Sequence, residues 1–475
     1  MAADSRFPSA QLRRAPADSR CDVVVIGAGV AGLAAARRLT DAGVNVVVLE
    51  GRDRIGGRIL TVRDERSPVP IELGAEFVHG SADEVLEIAR EAKLIVCDTF
   101  GRRWRATSGK LTLIEEDRFW DEMGRVMKKL NPKRSPDRSF QDFLDTKPGG
   151  KALTHQRALA REYVEGFHAA DPALVSERAL ADGGAPEDDA DKRQGKILDG
   201  YDCVPGTLAA RLRGVRLSHV VHEVAWDPGA VAVSYSVPAS GSQLARTGTI
   251  SARAAIITVP LGVLQQPESE SGIKFAPNVS AMTKAIAGIE MGVVARVVLM
   301  FREPFWEKRN VRRRTGPDSL TELSFLMSTD EDVPVWWTAA PVRTPMLVGW
   351  AGGPRASRLI KTGESEIESR AIAAIARQLG MQRRAVAALV EQFWHHDWLH
   401  DPFTLGAYSY ALVGGSKAAA QLARPVEKTL FFAGEAADST GRTGTVHGAI
   451  GTGYRAADAF LRLTNSPPSR RVTSR

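Results

Sequence analysis

The sequence predicts an α/β fold in which a Rossmann-type domain with a GxGxxG turn is interleaved with a second, α+β domain. A short apolar, β-branched run at 22–26 is followed by closely spaced glycines. A second apolar run at 45–49 ends at an acidic residue, and a third lies near the other end of the chain at 430–433. Such runs are typical of buried parallel strands. Because they lie at both ends of the chain, we expect the segments between them to leave the first domain and return to it.

The first strand, predicted over 22–26, leads into three glycines at GxGxxG spacing. Gly27 permits a tight turn, Gly29 lets the backbone approach a pyrophosphate, and Gly32 lets the next helix pack closely against the strand. That helix is predicted over 33–41. The strand–turn–helix context favours a dinucleotide site over an ordinary βαβ turn.

The second strand ends at Glu50. A carboxylate at this place can accept hydrogen bonds from both hydroxyls of an adenosine ribose, and it disfavours a 2′-phosphate. The run that follows contains Arg52, Gly56, Gly57 and Arg58. These residues offer a second close backbone approach and fixed positive charge for phosphate oxygens, which is typical of flavin rather than nicotinamide dinucleotides.

Further motifs follow in a characteristic order. They are 72–80 (ELGAEFVHG), 258–260 (TVP), 304–306 (PFW), 406–410 (GAYSY), 433–435 (AGE) and 445–449 (TVHGA). Together with the glycine turn, Glu50 and Arg58, they resemble the flavin-containing amine oxidase family. This family covers monoamine oxidases, polyamine oxidases, flavin-dependent histone demethylases and related bacterial enzymes. The resemblance runs from about residue 20 to 463, points to a soluble member of bacterial type, and implies that the Rossmann-type domain binds FAD.

The resemblance also assigns residues to the cofactor. Residues 74–77 are expected beside the flavin ring, the backbone of Val224 near the adenine, and 434–435 near the ribityl and phosphate groups. A helix predicted to begin near His447 would direct its positive end at the pyrimidine ring of the flavin. Ala407 stands where monoamine oxidases carry a cysteine that binds the flavin, so FAD is expected to be non-covalent. The assigned residues are Gly27, Gly29, Gly32, Glu50, Arg52, Gly56, Gly57, Arg58, Gly74, Ala75, Glu76, Phe77, Val224, Pro260, Trp398, Gly434, Glu435, Thr445 and Val446.

The reaction implied is hydride transfer from the α-carbon of an amine to flavin N5, which gives an imine, with reoxidation by O2 to H2O2. Because the cofactor carries this chemistry, the protein supplies orientation and an apolar cavity for a neutral amine. His79 is either a residue of the cavity mouth or a hydrogen-bonded structural histidine. The aromatic candidates for the cavity are Trp394, Trp398, Phe403, Tyr408 and Tyr410.

Three residues are predicted to be catalytic, and two of them depart from the family pattern. Tyr408 matches the first of two tyrosines that flank the amine, whereas Thr445 replaces the second, as in the demethylase branch. Arg296 stands where the family has a lysine that holds a water near flavin N5 and assists the reaction with O2. Arginine keeps the charge but cannot act as a neutral base. Alternatively, Arg296 pairs with an acid and faces away from the cavity.

Other functions stay open at this point. Arg296 favours an FAD-dependent dehydrogenase or desaturase that passes electrons to a different acceptor. An amino-acid oxidase would need Arg296 to bind the substrate carboxylate. A non-enzymatic, flavin-stabilised binding protein would use basic tails on acidic partners.

Charge and composition limit the class of protein. The net charge is +7, of which the first 20 residues contribute +2 and the last 12 contribute +3. We therefore predict disordered tails at 1–20 and 464–475, and no nucleic-acid binding, because the basic residues are not interleaved with aromatic ones. No apolar run has the length of a membrane helix, so no membrane partner is expected. Cys21, Cys97 and Cys203 show neither metal-site nor disulfide spacing, which favours the reducing cytoplasm.

The predicted elements divide the chain into two discontinuous domains. The FAD-binding domain is predicted over 21–80, 198–288 and 404–463, and the substrate-binding domain over 81–197 and 289–403. Strands are predicted at 220–237, 248–259, 291–301, 323–327 and 345–350, a helix at 364–379 and a loop at 182–194. A small-molecule amine and O2 are the expected partners, and the sequence does not indicate an oligomeric state.

Overall fold

The computed structural model describes residues 20–183, 193–239, 244–308, 310–313, 316–329 and 331–464. The two predicted tails lie outside these residues, apart from Arg20 and Thr464 at their inner ends. Most of the predicted loop at 182–194 also lies outside them.

The strands of the described chain have the following bounds. They are β1 Val23–Ile26, β2 Val46–Leu49, β3 Thr61–Val62, β4 Ile71–Glu72, β5 Phe77–His79, β6 Val96–Asp98, β7 Arg102–Thr107, β8 Lys110–Ile114, β9 Gln194–Ile197, β10 Val215–Arg216, β11 Val220–Asp227, β12 Ala230–Val237, β13 Arg246–Ala252, β14 Ala254–Ile257, β15 Lys274–Ala276, β16 Ile289–Met291, β17 Val294–Phe301, β18 Asn310–Arg313, β19 Gly316–Ser319, β20 Leu323–Met327, β21 Val335–Thr338, β22 Met346–Gly352, β23 Val390–His395, β24 Ser409–Ala411 and β25 Leu430–Phe432.

The three predicted helices, at 33–41, at 364–379 and from near His447, are present with small shifts, and the α-helices have the following bounds. They are α1 Val30–Asp41, α2 Asp83–Ala92, and then Glu116–Met127, Phe140–Asp145, Thr154–Gly166, Glu177–Gly183, Cys203–Ala209, Leu261–Gln265, Ser280–Ile286, Gly353–Ile360, Glu364–Gln378, Arg383–Ala387, Ala418–Leu422 and Val446–Thr464. Short 3-10 helices lie at Gly150–Leu153, Phe305–Lys308 and Glu435–Ala437. The mixed α/β character predicted from the sequence is confirmed.

A five-stranded parallel sheet forms the first core, in the order β10-β2-β1-β14-β25. The chain builds outward from β1 through β2 to β10 and then continues on the other side of β1 with β14. The direction of strand order therefore reverses between β1 and β14. In open parallel sheets, ligands bind in the crevice outside the carboxyl ends of the strands at such a reversal. The glycine turn follows β1 at this place.

Two helices cover one face of this sheet and cross each other closely. The helix α1 begins at Val30, earlier than predicted, because Gly29 already occupies its N-cap position. Its small residues and those of Val446–Thr464 bring the two backbones together: a Cβ on Gly453 would overlap the carbonyl oxygen of Ala31. Only glycine at position 453 permits this crossing.

A seven-stranded sheet, in the order β23-β17-β22-β21-β20-β7-β8, forms the core of the second part. Every residue of its strand β17 is buried. Ala295, Val297 and Leu299 face the helices Gly353–Ile360 and Glu364–Gln378. Val298 and Met300 face the opposite side, together with Ile71 and Leu73 from the first part of the chain. Because side chains alternate along a strand, Arg296 lies on this second side.

The predicted strand 291–301 is interrupted. It consists of β16 and β17, separated at Gly292, where a Cβ would lie 2.7 Å from the carbonyl oxygen of Ala169 and 2.9 Å from that of Tyr408. The break therefore lets the chain at Tyr408 approach the end of β17. The predicted strand 323–327 coincides with β20.

The predicted domain boundaries cut through shared structure. Strand β5 pairs with β9, which in turn pairs with β6, so one small sheet spans the boundary at 80. Val85 and Ile88 of α2 belong to the same buried cluster as Leu33 of α1. The helix α2 falls in the predicted substrate-binding domain, but its apolar face packs in the buried cluster that contains α1 and residues of the five-stranded sheet.

No helix in the described part of the chain has both the length and the apolar character needed to span a membrane.

The close helix crossing predicts a position-specific effect of one methyl group. Gly453→Ala forces α1 and the last helix apart, and we expect it to lower the free energy of unfolding by about 1–3 kcal/mol. Gly124→Ala is the matched control, because Gly124 is also helical but a Cβ there meets no atom within 4 Å. The control should gain about 0.5–1 kcal/mol from helix propensity. Chemical denaturation of both variants measures the difference, and equal midpoints would contradict the crossing.

Candidate functional site

One continuous cavity of about 470 Å³ runs from the carboxyl ends of the parallel strands to the seven-stranded sheet. The predicted cofactor residues line it, apart from Gly32 and Val224, and the predicted catalytic residues Arg296, Tyr408 and Thr445 line it as well. Segments from both ends of the chain thus meet around one space.

The three glycines of the first turn have different surroundings. Gly27 has φ +104°, a conformation that favours glycine, and a Cβ there would lie 2.7 Å from Thr258 Oγ1. A Cβ on Gly32 would overlap the carbonyl oxygen of Gly27, which explains the close contact of α1 with the turn. A Cβ on Gly29 would meet no atom within 4 Å, and Gly29 lines the cavity. The backbone at Gly29 is therefore open to a ligand, as a pyrophosphate requires.

Glu50 presents a buried carboxylate beside this turn. Its Oε2 accepts a hydrogen bond from Ala28 N at 2.6 Å and its Oε1 accepts one from Arg52 N at 2.9 Å. Burial raises the pKa of Glu50, and the two backbone amides oppose that rise. The carboxylate is thus held in one orientation at the cavity wall, which fits recognition of ribose hydroxyls.

The second glycine-rich run lies against the first. Gly56 N donates to Ala28 O at 2.9 Å, and Gly56 and Gly57 both have positive φ. The guanidinium of Arg52 is directed at the segment 401–404. It forms two hydrogen bonds with Asp401, at 2.7 and 2.8 Å, and one with Thr404. Its role in the structure is therefore to hold the segment 401–404 at the cavity.

Arg58 and the buried Glu435 form a partly buried ion pair between the early and late motifs. Arg58 Nη1 lies 2.8 Å from Glu435 Oε1 and donates to Ala407 O at 2.7 Å. The other oxygen, Oε2, accepts from Ser409 Oγ at 2.8 Å and from Gly444 N at 3.1 Å. Glu435 thus uses its carboxylate to join four segments of the cavity wall.

The segment 74–77 forms the wall opposite the helix of residues 446–464. A Cβ on Gly74 would overlap the carbonyl oxygen of Arg58. The chain segments at residues 58 and 74 can therefore be in contact only with glycine at 74. The side chain of Trp398 donates from Nε1 to Leu73 O at 2.9 Å and lines the same region. Small residues and backbone thus form this part of the wall, as a planar ring system needs.

Arg296 pairs with an acid, as the alternative interpretation predicted. That interpretation also had Arg296 face away from the cavity, whereas its side chain lines the cavity. Its Nη2 donates to Glu76 Oε2, and its Nη1 donates to Gly74 O at 3.3 Å. The guanidinium lies over the Trp337 ring, 5.3 Å from the centroid. Burial raises the pKa of Glu76, but the charges of Lys196 and Arg296 outweigh burial and the pKa falls to about 2. Glu76 is therefore a buried anion.

Tyr408 and Thr445 stand at the other side of the space. The Tyr408 hydroxyl donates to Phe167 O at 2.7 Å, which fixes the ring at the wall. Thr445 Oγ1 accepts from Gly448 N at 3.0 Å and caps the helix that begins at Val446. The first turn of that helix faces the cavity, where its free N–H groups present partial positive charge.

The placement of the Val224 backbone near the adenine stays a prediction. The Val224 side chain is fully buried between β12 and β15, and Val221 of the same strand lines the cavity. A bulge between Val221 and Glu223 shifts the side-chain alternation, which the sequence pattern does not reveal.

Two aromatic candidates also lie away from the cavity. Tyr410 packs in the helical cluster around Phe140, and Trp394 stacks with Arg66 at 5.9 Å. Neither is among the described residues that line the cavity. Phe403 does line it, but against Gly51, at the end near Glu50.

The sequence analysis missed an aromatic wall at the end of the cavity that lies away from the glycine turn. Tyr163 and Phe167 stack with centroids 5.1 Å apart, and the Phe167 ring lies 5.8 Å from that of His79. Burial and the charge of His447 lower the pKa of His79 to about 4, and burial lowers that of His168 equally. The only sequence signal is the i,i+4 spacing of the two aromatic residues. The wall also includes Trp120, Phe77, Phe325, Trp337 and Trp350.

Comparison with known proteins agrees with this geometry. The profile of the flavin containing amine oxidoreductases matches residues 30–461. Polyamine oxidase 4 of Oryza sativa subsp. japonica is 29% identical over 92% of this chain and 88% of its own length. Human amine oxidase [flavin-containing] B is 24% identical over 95% of this chain and 88% of its own length.

Solved structures share the fold. A putrescine oxidase bound to putrescine has a TM-score of 0.76, with 20% identity, over 94% of this chain and 100% of its own. Cyclohexylamine oxidase from Brevibacterium oxydans has a TM-score of 0.75, with 22% identity, over the same shares of the two chains. The chain thus belongs to the family of flavin-containing amine oxidoreductases, and it is an FAD-dependent oxidoreductase that acts on CH–NH or CH–NH2 groups.

Proposed function

We propose that the protein is an amine oxidase that binds FAD non-covalently, removes a hydride from the α-carbon of a small amine and uses O2 as the electron acceptor. The observation that carries the proposal is the single cavity, which has a glycine cradle at one end and an aromatic wall at the other. Polyamine, putrescine and cyclohexylamine oxidases among its relatives support an amine as the substrate.

The residues at the cradle fit FAD. Gly29 leaves backbone open for the pyrophosphate, Glu50 would face the ribose, and the segment of β11 with Val221 and Val224 would border the adenine. The wall of 74–77 and the first turn of the helix 446–464 would enclose the ring system. We keep the two discontinuous domains predicted from the sequence, a Rossmann-type FAD-binding domain and a substrate-binding domain. The helix α2, however, is assigned to the FAD-binding domain.

The flavin, when bound, supplies the two-electron acceptor for the hydride. The protein contributes a space that favours the neutral amine, since aromatic rings surround it and His79 is uncharged at neutral pH. Tyr408, fixed through its hydroxyl to Phe167 O, presents its ring to that space. These groups orient the amine and exclude water, which lowers the barrier without acid–base catalysis.

The pairing of Arg296 bears on the alternatives. Its Nη1 and Nη2 already bond Gly74 O and Glu76, so any substrate carboxylate would have to compete with the Glu76 carboxylate for the guanidinium. This disfavours an amino-acid oxidase. The second candidate is a dehydrogenase with another acceptor, and it is favoured by the arginine at the place of the family's lysine.

The three cysteines are free thiols. They support a reducing compartment such as the cytoplasm as the place of action.

An anaerobic titration with a panel of amines tests the function. We expect an amine to bleach the flavin absorption near ~450 nm, and air to restore it rapidly with formation of H2O2. Bleaching without rapid recovery would identify the dehydrogenase. No bleaching by any amine would overturn the proposal. A protein lacking 1–19 and 465–475 is the control, because an enzyme keeps its turnover without the tails.

The mode of flavin attachment gives a second prediction. None of the three cysteines lines the cavity, and Ala407 stands at the position of the family's covalent link. Denaturing the protein with acid should therefore leave all of the FAD in the supernatant. Yellow colour that stays with the precipitate would contradict this.

Thr445 is predicted to keep the amine space open. Thr445→Tyr should narrow the range of accepted amines, with bulky or secondary amines losing kcat/KM most. Because Thr445 caps a helix, the change also costs about 1 kcal/mol of stability. Thr445→Ala removes the same cap without filling the space, and it should keep the range of amines. A range that stays unchanged in the tyrosine variant would contradict the prediction.

A further inference from the structure

A buried cluster of charges lies behind the cavity wall at Glu76. The Glu76 carboxylate accepts hydrogen bonds from Arg296, from Trp337 Nε1 at 3.0 Å and from the ammonium of Lys196, whose Nζ lies 2.7 Å from Oε1. The side chains of Glu76 and Lys196 are 9% exposed and that of Arg296 is 4% exposed. All three charges are thus shielded from water. Charge interactions in such a buried place are stronger than at the surface.

Lys196 reaches this cluster from a distant part of the chain. It belongs to β9, which pairs with β5, so that the sheet brings its side chain next to Glu76. Its ammonium also donates to Thr338 O at 3.0 Å and lies 5.2 Å from the centroid of the Phe77 ring. The lysine is therefore held in one place by several partners.

The formal charge of the cluster depends on Lys196. Arg296 and Glu76 alone would cancel, whereas the addition of Lys196 leaves a net charge of +1. A neighbouring carboxyl, Glu72, borders the same small space of about 40 Å³ behind Arg296. The Glu72 oxygens bond Thr61 Oγ1 and Tyr201 N rather than the charges of the cluster, and burial raises the pKa of Glu72 to about 8, which favours its neutral form at neutral pH.

We propose that Lys196 raises the reduction potential of the bound flavin. By binding the second oxygen of Glu76, Lys196 leaves the Arg296 cluster with a positive charge that stabilises the reduced, electron-rich cofactor. Lys196 is a positioning residue, since it acts through Glu76 and does not line the cavity. The inference rests on the proposed function only in that FAD occupies the cavity with its ring near 74–77.

The reduction potential of the bound FAD tests the proposal without any amine. Lys196→Met keeps the length of the side chain and removes the charge, and Glu76 keeps Arg296 and Trp337 as partners. We expect the equilibrium constant for reduction to fall about tenfold, which is about 30 mV for a two-electron couple. Lys196→Arg should restore the wild-type potential. Glu76→Gln should shift the potential upward, because the cluster then carries +2.

Opposite shifts in the two variants separate charge from a merely structural role. Lys274→Met is the matched control, since it removes a lysine from an exposed ion pair with Glu268 and should leave the potential unchanged. A potential that Lys196→Met does not lower, or shifts of the same sign in Lys196→Met and Glu76→Gln, would overturn the proposal. Failure of every amine to reduce the wild type would instead overturn the proposed function and leave the measured potentials to decide on Lys196.

Discussion

The ion pair between Arg58 and Glu435 is the interaction on which the site depends. It joins the glycine-rich run near the start of the chain to the motif after the last strand of the parallel sheet. The same carboxylate binds Ser409 Oγ and Gly444 N, so one buried acid sets the distance between four segments. Removing one partner of such a pair leaves an uncompensated buried charge, which is strongly destabilising. The cavity keeps its shape because these bonds are made together.

The polar groups around the cavity divide into two kinds. His79, His168 and Tyr408 are uncharged at neutral pH, because burial lowers the pKa of the histidines and raises that of the tyrosine. The charged groups are paired, as in Arg58 with Glu435 and Arg296 with Glu76. A wall of neutral groups with a few paired charges suits a neutral amine.

Much of the fold and part of the site could be predicted from local patterns. The glycine turn, the acid after the second strand and β20 are found where the sequence analysis placed them, since their signals lie within a few neighbouring residues. Tyr410 and Trp394 lie away from the cavity, because the side of the wall that a side chain faces depends on the fold and not on the local sequence. The aromatic wall of Tyr163 and Phe167 was missed because a helix end carries no mark of the cavity that it borders.

The sequence by itself predicted a dinucleotide site, because the spaced glycines after β1 and the acid at the end of β2 meet local requirements of backbone geometry. Only the tertiary structure decided how Arg296 is used. Its partner Glu76 directly precedes strand β5, and Lys196 comes from a third segment, β9, which pairs with β5. Charge pairing in a buried site depends on distances through space, and no local pattern in the sequence specifies them.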